Sequence, residues 1–125
     1  MANLVDSAAK EAGANWSELA EWPEFRDGFM AHAPVDTLRA NAFGLCDLHG
    51  NVGEWCVDQF PPYTVAARAG DGLRPMPLEA GEAHVVRGGS FVRPASSAGA
   101  ARRDGNLADA MSMWVGVRLA RRLDG

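Results

Sequence analysis

Residues 41–58 constrain this chain more than any other stretch. Asn41, Gly44, Asp47 and Gly50 make the first part loop-like, because glycine and asparagine tolerate backbone turns that other residues resist. Residues 52–57 then read as an extended segment entering the core, with Trp55 as its large anchor. A second fixed point is Gly88-Gly89, a bulge or hairpin signal that splits two short expected strands at residues 84–87 and 90–92. Residues 114–119 alternate apolar and polar and read as a final strand.

Between these points the chain is irregular. Residues 5–25 read as helix, capped by Asp6 or Ser7, broken near Gly13 and closed by Pro23. Residues 61–81 carry prolines and glycines with no clean period and read as a long loop. Residues 95–110 read as a surface loop of small residues. With Gly 14 and Pro 7 in 125 residues, turns outnumber long elements. The expected class is α+β, in one domain.

Charge narrows the function classes. The net charge is −4, unevenly spread. Residues 1–60 hold ten acids against Lys10, Arg26 and Arg39, giving −7; residues 61–125 hold six acids against nine arginines, giving +3. An acidic first half favours hard cations, and a basic second half suits an anionic partner. No basic run alternates with aromatics, so nucleic acid is not expected as a partner. No run is apolar enough to span a membrane and no signal peptide is recognisable, so the default location is cytoplasmic. Cys46 and Cys56 sit in apolar contexts that suit buried free thiols.

A loop-rich fold without a disulfide framework needs other staples, and metal ions are the natural choice. Calcium takes six to eight hard oxygens from carboxylates, amides and carbonyls in flexible loops. Two loop clusters offer that chemistry. One pairs Asn3 and Leu4 with Asp27 and Phe29; the other runs from Asp47 through Leu48 and Gly50 to Val52.

In order and spacing, the 41–58 run, Gly88-Gly89-Ser90-Phe91 and the final Gly116-Val-Arg-Leu-Ala stretch resemble the formylglycine-generating enzyme (sulfatase-modifying factor) family. That resemblance implies a variant of the C-type lectin fold. It also implies two calcium sites, one from Asn3, Leu4, Asp27 and Phe29, the other from Asp47, Leu48, Gly50 and Val52. Asn51, Glu54 and Trp55 match the family signature, with structural roles expected: Trp55 packing the core, Asn51 and Glu54 bonding loop backbone.

The same resemblance shows what is missing. The family's oxidases hold copper with two cysteines a few residues after the Gly-Gly-Ser motif. Here Arg93 stands where the first would be and small residues, 95–98, occupy the region of the second. Copper(I) is soft and takes thiolates, and Ser96 cannot replace one. Copper is therefore not expected. The resemblance covers only the family's C-terminal half, so exposed apolar surface should seek a second copy or a chain supplying the other half. Trp16, Trp22, Phe25 and Phe29 are the aromatic stretch from which that exposure is expected.

The expected function is a non-catalytic, calcium-stabilised binding module for a protein or peptide ligand. Its ligand face would be residues 92–114, with Arg93, Ser96, Arg102, Arg103, Asn106, Asp109 and Trp114 as candidates. Two alternatives share the architecture. Variable proteins of diversity-generating retroelements place their variable positions in this segment, although one Asn, three Ser and no Tyr at 92–114 do not favour that. A split oxygen-dependent enzyme could use the chain as its substrate-binding half. His32, His49 and His84 have no metal-ligand spacing that would supply its iron site.

Overall fold

The structure is a computed structural model that describes residues 2–17, 21–22, 24–74 and 83–120. Among the described residues there are one short α-helix and one mixed sheet of four strands, in keeping with an α+β class. Strands β1 (Gly53–Gln59), β2 (Ala83–Arg87), β3 (Asp104–Leu107) and β4 (Val115–Gly116) lie in the order β3-β2-β1-β4. β2 runs antiparallel to both neighbours, whereas β4 is parallel to β1.

Helix α1 spans only Ser7–Glu11. Asp6 caps it by accepting the Ala9 N–H at 3.0 Å. Gly13, at φ +96°, turns the chain out of the helix and donates back to the Lys10 carbonyl. The cap at Asp6 and the break near Gly13 fall as expected, and α1 runs one and a half turns; residues 18–20 and 23 of the expected 5–25 stretch lie outside the described residues. Ser7 is held by tertiary bonds from its N–H and hydroxyl to the Phe25 carbonyl.

β1 and β2 form where expected, but two other expectations shift. Residues 90–92 are a turn, not a strand, because Gly88 and Gly89 both take positive φ and carry the chain off the sheet. The stretch read as a surface loop contains β3, whose register with β2 pairs His84 with Asn106 and Val86 with Asp104. Gly105 is the reason a polar segment can serve there. A Cβ on it would stand 2.8 Å from the Phe60 ring and 3.3 Å from the Ala83 methyl, so bare backbone lets Phe60 pack on the sheet. The final strand is two residues long.

The β1–β2 register is interrupted. From Trp55 to Gln59 β1 advances four residues while β2 moves two, from Val86 to His84. This bulge pushes Val57 into solvent at 77% exposure. The core is small and aliphatic, built from Leu4, Val5, Ala9, Leu38, Val85 and Val86 with Phe91. Trp55 is half-buried, packing edge-on against His84 at 6.4 Å. Cys46 and Cys56 are free and half-buried, less enclosed than expected. Among the described residues no helix is long and apolar enough to cross a membrane.

Candidate functional site

The N-terminal segment and the 47–52 loop form one hydrogen-bonded unit. Asn3 bridges Gly50 in parallel fashion, and the Asn51 N–H donates to the Asn3 carbonyl at 2.6 Å. The Asn51 side chain locks the joint. Its Oδ1 accepts from Ala33 N at 2.9 Å and from Asn3 Nδ2 at 3.2 Å, and its Nδ2 donates to the Ala33 carbonyl at 3.2 Å. This is the backbone-bonding role expected of Asn51. Glu54 departs from expectation by pairing with Arg118 at 2.6 Å.

Asn3, Leu4, Asp27 and Phe29 are brought together. Asp27 accepts the Leu4 N–H on Oδ2 and the Phe29 N–H on Oδ1, each at 2.8 Å. Its own N–H goes to Asp6 at 2.5 Å. Burial raises the Asp27 carboxyl above its ordinary pKa, the neighbouring Asp6 adds to that, and the two N–H donors oppose it. Asn3 is fully buried, and its Oδ1 has no hydrogen-bond partner. An unpartnered buried acceptor is costly, which makes this oxygen notable.

The second cluster repeats the pattern. Asp47, Gly50 and Asn51 all take positive φ, +56°, +81° and +63°, so the loop is tightly curled. Asp47 Oδ2 accepts the Asp36 N–H at 2.9 Å, while Oδ1 is buried without a partner. Gly88 faces this loop. A Cβ on it would stand 3.1 Å from the Leu48 carbonyl oxygen and 4.0 Å from that of Val52. The Leu48 and Val52 carbonyl oxygens thus both face the bare backbone of Gly88. Among the described residues no three His, Cys, Asp or Glu side chains gather as a metal cluster, so a cation here would rely on the Asp47 carboxylate together with carbonyl oxygen.

The candidates at 92–114 differ in burial and in partners. Arg93 lies over the Trp114 ring at 5.0 Å, which brings these two candidates together. Ser96 sits in a short 3-10 turn and donates its N–H to Glu21 at 2.8 Å, holding that carboxyl below its ordinary pKa. Arg102 is exposed and paired with Asp104 at 2.7 Å. Arg103 is buried on Tyr63, 3.8 Å from the ring, and donates to the Pro61 carbonyl at 2.8 Å. Asn106 stands opposite His84 with its Nδ2 buried and unpartnered. Asp109 is exposed in the turn after β3. Adjacent residues on an extended chain point to opposite sides, which is why Arg102 and Arg103 part company.

The aromatic stretch is better covered than expected. Trp16 meets Phe91 edge-on at 6.4 Å, Trp22 stacks on Phe25 at 4.7 Å, and of the four only Trp22 is exposed, at 49%. Open apolar surface lies instead around a cleft of about 360 Å3 beside the 47–52 loop. Val35, Leu45 and Val117 line that cleft and remain 83%, 46% and 70% exposed. Inside it the Cys46 thiol donates to Asp36 at 2.7 Å, and that bond raises its pKa.

Known proteins place this geometry in context. A sulfatase-modifying factor enzyme 1-like domain model matches residues 1–123. Among similar proteins, the formylglycine-generating enzyme of Streptomyces coelicolor is 37% identical over 101 residues, covering 78% of this chain and 32% of that protein. The formylglycine-generating enzyme of Bos taurus is 33% identical over 97 residues, covering 75% and 25%. The chain thus spans a third or less of the curated relatives it matches. A solved structure, Treponema denticola variable protein 1, aligns with TM-score 0.57 at 24% identity over 70% of this chain and 31% of that one, a likeness of fold. On the match across residues 1–123, the chain belongs to the sulfatase-modifying factor enzyme 1-like family.

Proposed function

We propose that this chain is a non-catalytic, calcium-stabilised binding module with a formylglycine-generating-enzyme-like variant of the C-type lectin fold. One observation carries the calcium reading. Each oxygen-rich cluster contains a buried oxygen without a partner, Asn3 Oδ1 in one and Asp47 Oδ1 in the other. A hard cation would satisfy both. Asn3, Leu4, Asp27 and Phe29 would hold one ion; Asp47, Leu48, Gly50 and Val52 would hold the second.

The non-catalytic reading is supported by Arg93, which follows the Gly-Gly-Ser-Phe motif where the oxidases carry a copper thiolate. Neither thiol is a ready substitute. Burial raises the pKa of Cys56 and the bond to Asp36 raises that of Cys46, so both favour the protonated form. Incubated with copper, oxygen and a cysteine-containing sulfatase peptide, the chain should form no formylglycine; detectable conversion would overturn this half of the reading.

Thermal unfolding tests the calcium half. At calcium concentrations about 100 times the dissociation constant, each ion stabilises by about 2.7 kcal/mol. Excess EGTA, which removes both ions, should lower Tm by roughly 20 °C. Asp47→Ala should remove much of that shift, since it deletes the one carboxylate of its cluster. An unchanged Tm in EGTA would end the proposal.

The exposed rim of Val35, Leu45 and Val117 supports a partner of the protein kind, either a second copy or a chain supplying what the longer relatives contain. Sedimentation at rising concentration should show association, weakened by Val35→Asp. A compact monomer throughout, with no uptake of a hydrophobic dye, would refute it.

A further inference from the structure

A second cleft, of about 450 Å3, opens between β1, the end of β2 and the bend after the 3-10 turn. Its charged lining is Arg87, Arg102 and Arg118 against Glu54, three positive groups and one negative. The 360 Å3 cleft has the reverse balance, with Asp36, Asp47 and Glu54 against Arg118. Two of the three guanidiniums are already committed, Arg118 to Glu54 and Arg102 to Asp104. Arg87 is not. Its Nη1 donates to the Ala100 carbonyl at 2.9 Å and the Arg102 carbonyl at 3.4 Å, which fixes the group in place without neutralising it. No carboxylate pairs with it among the described residues. Leu48, Trp55 and Cys56 supply apolar wall beside it.

We infer that this cleft binds a monocarboxylate with an apolar or aromatic body, the carboxylate on Arg87 and the body against Trp55. A guanidinium held by backbone carbonyls keeps its fork in one orientation, and the guanidinium fork matches carboxylate geometry. A few polar groups set in a largely apolar concavity is the usual form of a small-ligand site. The walls suit an acid with a hydrocarbon body better than a phosphate, whose further charge would need more than one free cation. The carboxylate belongs either to a free acid or to the C-terminus of a peptide. The inference deepens the binding-module reading by naming its ligand chemistry, and it places that ligand away from the Arg93–Trp114 pair.

The test uses 3-phenylpropionate, its neutral amide and an N-acetylated tripeptide ending in free phenylalanine. The readout is the Trp55 indole N–H resonance, identified through Trp55→Phe. 3-Phenylpropionate should shift it saturably, and the amide should bind about tenfold or more weakly. Arg87→Gln should lose about the same factor, while Arg68→Gln, in an exposed pair with Asp71, should bind as the parent does. Peptide binding with the same Arg87 dependence assigns the C-terminal source; binding of the acid alone assigns the free acid. Equal binding of acid and amide, an unaffected Arg87→Gln, or no shift at millimolar ligand overturns the inference.

A measurement on the unaltered chain guards against a misfolded variant. The two thiols stand in clefts of opposite charge, so iodoacetate relative to iodoacetamide should alkylate Cys56 about tenfold more favourably than Cys46. 3-Phenylpropionate should slow the reaction at Cys56 alone. Equal ratios at the two thiols would refute a positive cleft. The EGTA shift in Tm, read on the same samples, reports separately on the calcium reading.

Discussion

Gly50→Ala should be the most damaging glycine-to-alanine change among the described residues, costing about 4 kcal/mol or more. Gly50 takes φ +81°, where an L-residue bears about 1–2 kcal/mol of strain. The larger part is steric. A Cβ there would stand 2.1 Å from the Asn3 carbonyl oxygen, 2.7 Å from its carbon and 2.8 Å from its nitrogen. These are backbone atoms, so no rotamer change relieves the clash. Asn3 must retreat, and its carbonyl then loses the Asn51 N–H. Leu4 and Val5, next in the chain and both buried, would loosen with it. Gly44→Ala is the control. Gly44 has φ +76° with open space where its Cβ would go, so it should cost only the strain. Urea unfolding of the two variants separates the effects, and equal losses would show that the close approach of Asn3 and Gly50 is not what matters.

Parts of the fold are legible in the sequence where glycine punctuates it. Gly50, Gly88 and Gly89 are visible as punctuation, and the strands they bound, β1 and β2, fall where their apolar pattern places them. β3 was hidden because Asp104-Gly105-Asn106-Leu107 has poor strand propensity; pairing with β2 and the fit of Phe60 over Gly105 override it. The helix start is legible at Asp6 and its break at Gly13, whereas the hold on its first turn comes from tertiary bonds between Ser7 and Phe25.

Sites divide the same way. Asp47, Leu48, Gly50 and Val52 lie within one short run, so loop chemistry is legible there. Asn3 and Asp27 are distant in sequence, so their oxygen chemistry is legible while their meeting depends on the fold. Arg87, Arg102 and Arg118 have no telling spacing at all. They converge because β2 lies between β1 and β3 while β4 pairs with β1, bringing three separate segments to one cleft.

Asn51 carries the other large expected loss. It is 5% exposed and its amide ties three chain segments, through Ala33 N, the Ala33 carbonyl and Asn3 Nδ2. Truncation leaves those groups buried without partners, at about 1–3 kcal/mol each. The backbone adds a separate term. Asn51 sits at φ +63°, which asparagine tolerates better than alanine does. Asn51→Gly keeps the backbone at ease and removes only the amide; Asn51→Ala removes the amide and adds strain. Alanine should therefore be worse than glycine by about 1–2 kcal/mol, with both several kcal/mol below the parent. Asn51→Asp is the sharper probe. It retains an acceptor for Ala33 N and Asn3 Nδ2, loses the donor to the Ala33 carbonyl, and buries a charge beside both candidate cation loops. Calcium should recover more of its lost stability than of the alanine variant's, because added negative charge raises affinity for a hard cation. Denaturant unfolding of all three, with calcium and with EGTA, gives each term. If glycine matches the parent, the amide does not join the segments; if calcium restores aspartate no more than alanine, no cation lies within reach of that charge.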